Sequence, residues 1–353
     1  MTICYFGDYD PNYARNRVLI KGLKENGVKI LECRSQNCGL AKYWELHKKH
    51  QTLEDNYDIL IVGQSFKSRL VWLAKLLSNK KIVWDAFYSF YDKYVFDSGL
   101  ISPKSLKAGY YWRTEKLACR WADLILLDAN EHIKYFSCEF GVPESRFVRV
   151  LVGTDIETGK MPSAEKKEGV FLVHFHGKYI PLQGVKYIIE AAKILQEKDA
   201  AIRFNLIGSG QTYADDRRLA DDLGVKNINF IGRVAFGQLP KFIQEADICL
   251  GLFGNTPKTQ RVIANKVYEA IAMAKPVISA DTPAARELFE NGKNILFCRR
   301  ADPDDLAEKI LELKNNSQLR NKIAQGAHDL FKSKATPRII AKDLIDKLNQ
   351  IVC

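Results

Sequence analysis

Short runs of wholly apolar residues alternate with longer stretches in which apolar positions recur every three or four residues, and the alternation holds along almost the whole chain. The short runs read as strands buried on both faces and the longer stretches as helices with one apolar face, a pattern that predicts parallel sheets covered by helices. Strands are predicted at 2–6, 28–31, 58–62, 81–84, 124–127 and 147–150, with helices at 12–25, 41–53, 67–77, 104–121 and 131–140 between them. A polar interruption, VGTDIETGKMPSAEKKEG at 152–169, reads as a linker. A second series follows it, with strands at 170–175, 202–207, 228–231, 248–251, 276–280 and 295–297. Its helices are predicted near 184–197, 211–223, 237–245, 265–273 and 284–290, and helices continue from about residue 303. The expected fold class is α/β: two doubly wound Rossmann-like domains, 1–160 and 161–353, facing a central cleft, with C-terminal helices. The last helix, about 335–353, is expected to pack back on the first domain.

A chain of 353 residues, 46% hydrophobic, has the length for two domains of ordinary size. No window approaches the ~18 apolar residues of a membrane-spanning helix. Asp8 and Asp10 stand where a secretory signal would need a basic and then an apolar segment, so a cytoplasmic location is expected. The eight cysteines form no Cys-x-x-Cys pair and have no histidines at metal-ligand spacing, so most are expected to be small buried apolar residues. The net charge of +11 favours anionic partners, and residues 251–300 alone hold eight basic against four acidic groups. Without a recognition-helix or RNP pattern, nucleic acid is not the expected partner.

Four segments could carry chemistry. Gly7-Asp8-Tyr9-Asp10 follows the first strand, at the carboxyl end where open parallel sheets bind ligands. Two such aspartates can hold a metal, but beside Pro11 they read as a turn that starts the next helix, and no metal is expected. Ile207-Gly208-Ser209-Gly210 ends a strand and opens a helix, so its backbone could approach a phosphate or sugar, or form only a tight turn. It lacks the third glycine of a dinucleotide fingerprint. His174 and His176 share a strand face without a third ligand nearby and read as packed or capping residues. Beyond them, Lys178 and Gly184 bracket a loop that leads into a helix, where a cation would meet a bound anion. In the fourth segment, a polar stretch with Lys258, Arg261 and Lys266 feeds a short helix that carries Glu269 one turn inside, which suits a diphosphate and a ribose together. Lys266 and Glu269 could instead be an ordinary exposed i, i+3 pair.

HGKYIPLQGV, LIGSG, NINFIGRV with Leu239-Pro240, ADICLGLF, NKVYEAIAMAKPVISADTPAARELF and NGKNILF, in this order and spacing, resemble the nucleotide-sugar domain of the GT-B glycosyltransferases, specifically glycosyltransferase family 4. GDYDPNYARNRVLIKGL, VWDAFYSFYD and WADLILLDAN resemble the family's acceptor domain more loosely. The resemblance implies the GT-B fold and a retaining, metal-independent hexosyl transfer. The donor is then a nucleotide diphosphate sugar, a co-substrate with no further cofactor, and the acceptor a saccharide or lipid-linked molecule of cell-surface glycan or glycolipid synthesis. Glu269 matches the second glutamate of the family's Glu-x7-Glu motif, which binds the donor ribose, and Arg261 stands at the position of the first. Lys178 keeps one of the family's two loop cations while Gln183 replaces the other, so Arg261 is inferred to share in neutralising the phosphates. The implied donor set is Gly177, Lys178, Gly208, Gly210, the nucleobase-loop residues Arg233 and Val234, the segment Arg261, Val262, Ile263, Ala264, Asn265 and Lys266, and Glu269. Gly7, Asp8, Arg15 and Asp85 form the acceptor side, Asp85 replacing a histidine and offering a base. The implied catalytic groups are Asp85, Lys178, Arg261 and Glu269. A nucleotide-sugar 2-epimerase and a non-catalytic nucleotide-sugar binder are the alternatives. AKYWELHKKH and SLKAGYYWRTEKLACRW mix aromatics with Lys and Arg; they could rest on an anionic membrane surface at the inner face, or form a core-facing stripe.

Overall fold

The computed structural model of the chain describes residues 1–53, 56–65, 68–156 and 169–352. It divides into two compact units, Met1–Asp155 with Lys334–Cys353, and Ile156–Ser333. The predicted linker, and with it the boundary after residue 160, falls largely outside the described residues.

Unit 1 is a parallel sheet of β1 (Thr2–Gly7), β2 (Lys29–Arg34), β3 (Ile59–Val62), β4 (Lys81–Phe87), β5 (Leu124–Leu127) and β6 (Phe147–Arg149), in the order β2-β1-β3-β4-β5-β6. The central strands β3 and β5, ILIV and LILL, are buried at every position, whereas the edge strand β2 is half exposed, as helices on both faces of a parallel sheet require. One face is covered by α2 (Ala41–Gln51), α3 (Arg69–Leu77), α4 (Leu106–Trp121) and α5 (Asn130–Phe140). The other is covered by α1 (Ala14–Glu25) and a late helix of the chain, Pro337–Val352. That late helix packs Ile340, Ala341, Leu344 and Leu348 against Val18, Leu19 and Leu23 of α1. The contact depends on Gly22, where a Cβ would strike the Pro337 carbonyl, and Asn26 ties the two helices by donating to the carbonyls of Gly22 and Arg338 at 2.8 Å each.

Unit 2 repeats the plan with β7 (Phe171–Lys178), β8 (Ile202–Ser209), β9 (Ile228–Ile231), β10 (Ile248–Leu250), β11 (Val277–Ala280) and β12 (Leu296–Cys298), ordered β12-β11-β10-β7-β8-β9 and parallel throughout. Its helices are α6 (Val185–Lys198), α7 (Tyr213–Asp222), α8 (Leu239–Glu245), α9 (Asn265–Ala272), α10 (Pro283–Arg286), α11 (Pro303–Asn315) and α12 (Ser317–Leu330); the late helix of unit 1 is α13. Their starts are written in the chain: Thr282 and Asp302 accept from the amides of Ala285 and Asp305, each followed by a proline whose missing N–H costs the first turn nothing.

In both sheets the winding reverses beside the first strand, at β1/β3 in unit 1 and at β7/β10 in unit 2, and open sheets of this kind bind ligands beyond the carboxyl ends of such strands. Five of the seven described cysteines are buried, while Cys38 and Cys138 are exposed.

Candidate functional site

At the carboxyl end of β7, the two-residue period of the strand sets His174 and His176 on one face. Gly177 pairs in register with Gly208 of β8, and a Cβ on Gly208, whose φ is 138°, would strike the Gly177 carbonyl. The glycine in IGSG is therefore demanded by strand packing in addition to any ligand. The loops after β7 and β10 are stitched together: Phe253 and Gly254 donate their amides to the carbonyls of Gln183 and Leu182 at 3.1 and 3.2 Å. Gly184 and Gly254 permit that approach, since a Cβ on either would meet the backbone of the other loop. Val262 adds an apolar tie, packing with Leu182 and Leu252. These anchors fix where α9 begins.

On α9, Lys266 and Glu269 are both buried, which overturns the reading of an exposed i, i+3 pair. The Lys266 ammonium stands 3.6 Å from the centre of the Phe175 ring and donates to Gln183 Oε1 and, at 3.4 Å, to the Gly251 carbonyl. No carboxylate among the described residues is ion-paired with it, and burial pushes its pKa well below the ordinary lysine value. A Cβ on Gly177 would sit 3.1 Å from this ammonium, so the absent side chain opens space above the charge. Gln183, read from the sequence as a lost cation, is the acceptor that holds one arriving from α9.

Glu269 is gripped from the sheet. His176 Nε2 lies 2.5 Å from Glu269 Oε2, and His176 Nδ1 lies 2.9 Å from His174 Nε2. His174 Nδ1 is buried with no partner among the described residues. A buried N–H without an acceptor is the costlier orphan, so the His174 proton belongs on Nε2, donating to His176, which in turn donates to Glu269. The His174 ring is neutral, in keeping with the burial that, helped by His176 and Lys266, drives its pKa well below the usual value. Glu269 Oε1 takes no hydrogen bond from a described residue. Sequence reading took the histidines for packed or capping groups and missed this role; the signal was their shared strand face, but nothing local says which helix crosses it.

The remaining donor-side candidates are looser. Lys178 and Gly210 are exposed, Arg261 and Asn265 half-buried, Val262 and Ile263 buried as anchors of the loop, and Ala264 stands at the helix start. Arg233 is exposed and Val234 half-buried in the segment after β9, and no hydrogen bond or ion pair among the described residues joins them to Lys266 or Glu269. A cavity of about 550 Å³ lies at the opposite, amino-terminal edge of β7 to β9, the wrong end of the strands for this chemistry.

In unit 1 the acceptor-side candidates Arg15 and Asp85 are corrected. A register shift between Asp85 and Phe87, with Phe87 at φ 60°, ends β4 irregularly. Asp85 is bound by Arg15 through Nε and NH2 at 3.0 to 3.1 Å, and Arg15 NH1 donates to the carbonyls of Val150 and Leu151 at 2.6 and 3.1 Å. Both side chains have zero exposure. Burial pushes the Asp85 carboxyl up while Arg15 pulls it down; burial likewise works against the Arg15 charge, and Asp85 outweighs it. The pair is a sealed structural bridge rather than a base open to an acceptor. Asp8 pairs with Lys42 of α2, and Asp10 accepts from the Asn12 amide at 2.9 Å, the turn role read for it. Gly7 ends β1 at the switch point. Asp128 and His132, 2.5 Å apart and buried, form a further polar pair that sequence reading passed over. No group of three or more His, Cys, Asp or Glu among the described residues could hold a metal ion.

Residues 157–329 match the family model of the glycosyl transferases group 1. An uncharacterized glycosyltransferase of Methanocaldococcus jannaschii is 28% identical over 158 residues, 45% of this chain and 42% of that protein. D-inositol 3-phosphate glycosyltransferase of Thermomonospora curvata is 22% identical over 229 residues, 58% of this chain and 52% of its own length. The chain thus spans about half the length of these curated relatives. The crystal structure of Anabaena HepE in complex with UDP superposes with a TM-score of 0.73 at 17% identity, covering 99% of this chain and 100% of that one. Sucrose-phosphate synthase from Thermosynechococcus elongatus gives 0.72 at 13%, with 99% of each chain covered. Residues 157–329 therefore carry a glycosyl transferases group 1 domain, in a chain with the GT-B fold of two Rossmann-like domains.

Proposed function

We propose that the protein is a retaining, metal-independent hexosyltransferase of glycosyltransferase family 4, taking a sugar from a nucleotide diphosphate donor. The observation that carries this reading is the pair on α9: a buried ammonium and a carboxylate oxygen that, among the described residues, have no ion-paired carboxylate and no hydrogen-bond donor respectively, at the switch point of a group 1 domain. Breaking the bond from sugar to diphosphate builds negative charge on the leaving phosphate. Lys266, with Arg261 and the first amides of α9, stabilises that charge, while Lys178 meets the outer phosphate and Glu269 Oε1 accepts from the ribose. His176 holds Glu269 in place, a positioning role. Arg233 and Val234 lie toward the nucleobase. Asp85 and Arg15 are assigned to the architecture of unit 1, and the acceptor, a saccharide or lipid-linked molecule, meets unit 1 at the edge formed by Gly7 and Asp8. HepE binds UDP and UDP-glucose, and one relative is a capsular polysaccharide biosynthesis glycosyltransferase of Staphylococcus aureus, 22% identical over 184 residues. The first supports a uridine nucleotide donor and the second cell-surface glycan synthesis.

The test is calorimetric titration with UDP, GDP, ADP and UDP-sugars, with and without chelator. Binding of one nucleoside diphosphate, unchanged by chelator and weakened about tenfold by Glu269→Gln, is expected for a lost charge-assisted hydrogen bond. Full affinity in Glu269→Gln would overturn the assignment, as would binding of none of the nucleotides.

A further inference from the structure

Unit 1 carries an apolar groove of about 540 Å³ between α2, α3 and α4. Leu40 and Tyr43, Trp72 and Leu73, and Leu117 and Trp121 line it, with Arg69 among the lining residues. The face around it is unusually apolar for one open to solvent: Leu40 is 86% exposed, Leu76 63%, Trp44 62% and Trp72 44%. Its charge is one-sided. The three helices hold nine Lys and Arg against two Glu; with Lys42 and Glu115 both buried, eight cations stand against Glu45 as the one acid of these helices with solvent access. Cations stand against the exposed rings, Lys48 4.9 Å from the centre of Trp44 and Arg69 5.6 Å from Tyr110. Aromatics and leucines beside amphipathic cations match the interface of a bilayer, where rings sit at headgroup depth and cations meet anionic lipids. A second copy of the chain would bring the same positive charge against itself, so charge complementarity selects the anionic surface. No described helix is long and apolar enough to cross a membrane.

We propose that the α2–α3–α4 face docks on an anionic lipid bilayer and that the groove takes one hydrocarbon chain of a lipid. Leu40, which lines the groove, precedes the turn of α2 in which Lys42 pairs with Asp8. A chain seated there puts its headgroup at the carboxyl edge of the unit 1 sheet. On the glycosyltransferase reading above, which this point rests on, the acceptor is then a lipid-linked one.

The experiment is co-sedimentation of the full chain with vesicles of phosphatidylcholine alone or with about one third phosphatidylglycerol, where each basic residue near the surface adds about 1 kcal/mol. Binding to the anionic vesicles alone is expected, falling about tenfold or more in Lys48→Glu/Lys49→Glu/Lys107→Glu and weakening with salt. Leu40→Ser/Trp72→Ser, both exposed, is expected to lose binding while leaving thermal unfolding and UDP affinity unchanged. Lipids brominated in the acyl chain are expected to quench tryptophan fluorescence, and Trp72→Phe to remove a share of that quenching. Equal binding to neutral vesicles, no binding to either, or a dimer in solution that Leu40→Ser/Trp72→Ser dissolves would each overturn the proposal. UDP binding is read in the same preparations, so a failed lipid result with intact nucleotide binding leaves the transferase reading standing.

Discussion

Each unit buries a cation and a carboxylate near the carboxyl edge of its sheet, Arg15 with Asp85 and Lys266 with Glu269, and the two pairs are arranged in opposite ways. In unit 1, Arg15 and Asp85 face each other through two guanidinium nitrogens, and the rest of the Arg15 fork is taken by main-chain carbonyls. Every charge there is answered internally. In unit 2, Lys266 rests on an amide oxygen, a carbonyl and an aromatic ring, while Glu269 is held by the His176 ring. Neither charge is cancelled by the other, although they stand one turn apart on α9. A buried charge left unanswered costs stability and persists where a ligand supplies the counter-ion. The comparison separates a pair that builds the fold from a pair held ready for a diphosphate and a ribose.

The sharpest way to break the contrast is to remove one member of the sealed pair. Arg15→Met leaves Asp85 buried and unpaired, and a loss of about 3–5 kcal/mol in urea unfolding is expected, with much of it recovered in Arg15→Met/Asp85→Leu. A loss below about 1 kcal/mol, the scale of an exposed pair, would mean that the bridge is not sealed.

Lys266→Met should do the reverse. Taking away a buried ammonium with no ion-paired carboxylate among the described residues leaves the unfolding midpoint unchanged or raised, while UDP affinity falls by about 1.5–3 kcal/mol, tenfold or more. Unfolding that follows the Arg15→Met pattern would erase the difference between the units.

His176→Phe keeps the ring volume and removes the donor to Glu269; about a fivefold rise in KM for the donor is expected, with kcat less affected, for a lost hydrogen bond of about 1 kcal/mol. His176→Gln, which retains an N–H, should restore most of it. Equal effects of Phe and Gln would point to packing alone.

The smallest effect is a pH slope. The Lys266 pKa is depressed in the empty protein by burial, and a bound phosphate raises it. Binding therefore takes up a proton, so affinity is greatest below the depressed value and declines as pH rises through the raised one. Titration in buffers of different ionisation enthalpy reads that uptake directly, small where the ammonium already dominates and growing as pH rises; heats independent of buffer at every pH would show that Lys266 does not titrate on binding.

Strands and helices were legible because period and composition are local properties. ILIV and LILL announce central strands, and Pro283 and Pro303 mark helix starts. The glycines at 177 and 208 and the helix that carries Lys266 and Glu269 were readable for the same reason. The partnerships were not. His176 and Glu269 are 93 residues apart, Gln183 and Lys266 83, and Arg15 and Asp85 70. No window spans such pairs, so Asp85 read as an open base and Gln183 as a vacancy in the cation set. Only the register of strands that settles after folding brings each to its partner.

The return of α13 to α1 across Gly22 carries a consequence for biosynthesis. Unit 2 is one unbroken stretch of chain and can collapse as soon as it has been translated. Unit 1, begun first, leaves Val18, Leu19 and Leu23 uncovered until residues 337–352 are made. The earlier-synthesised half of the protein is thus the later to mature, and in the interval an apolar helix face is offered to chaperones.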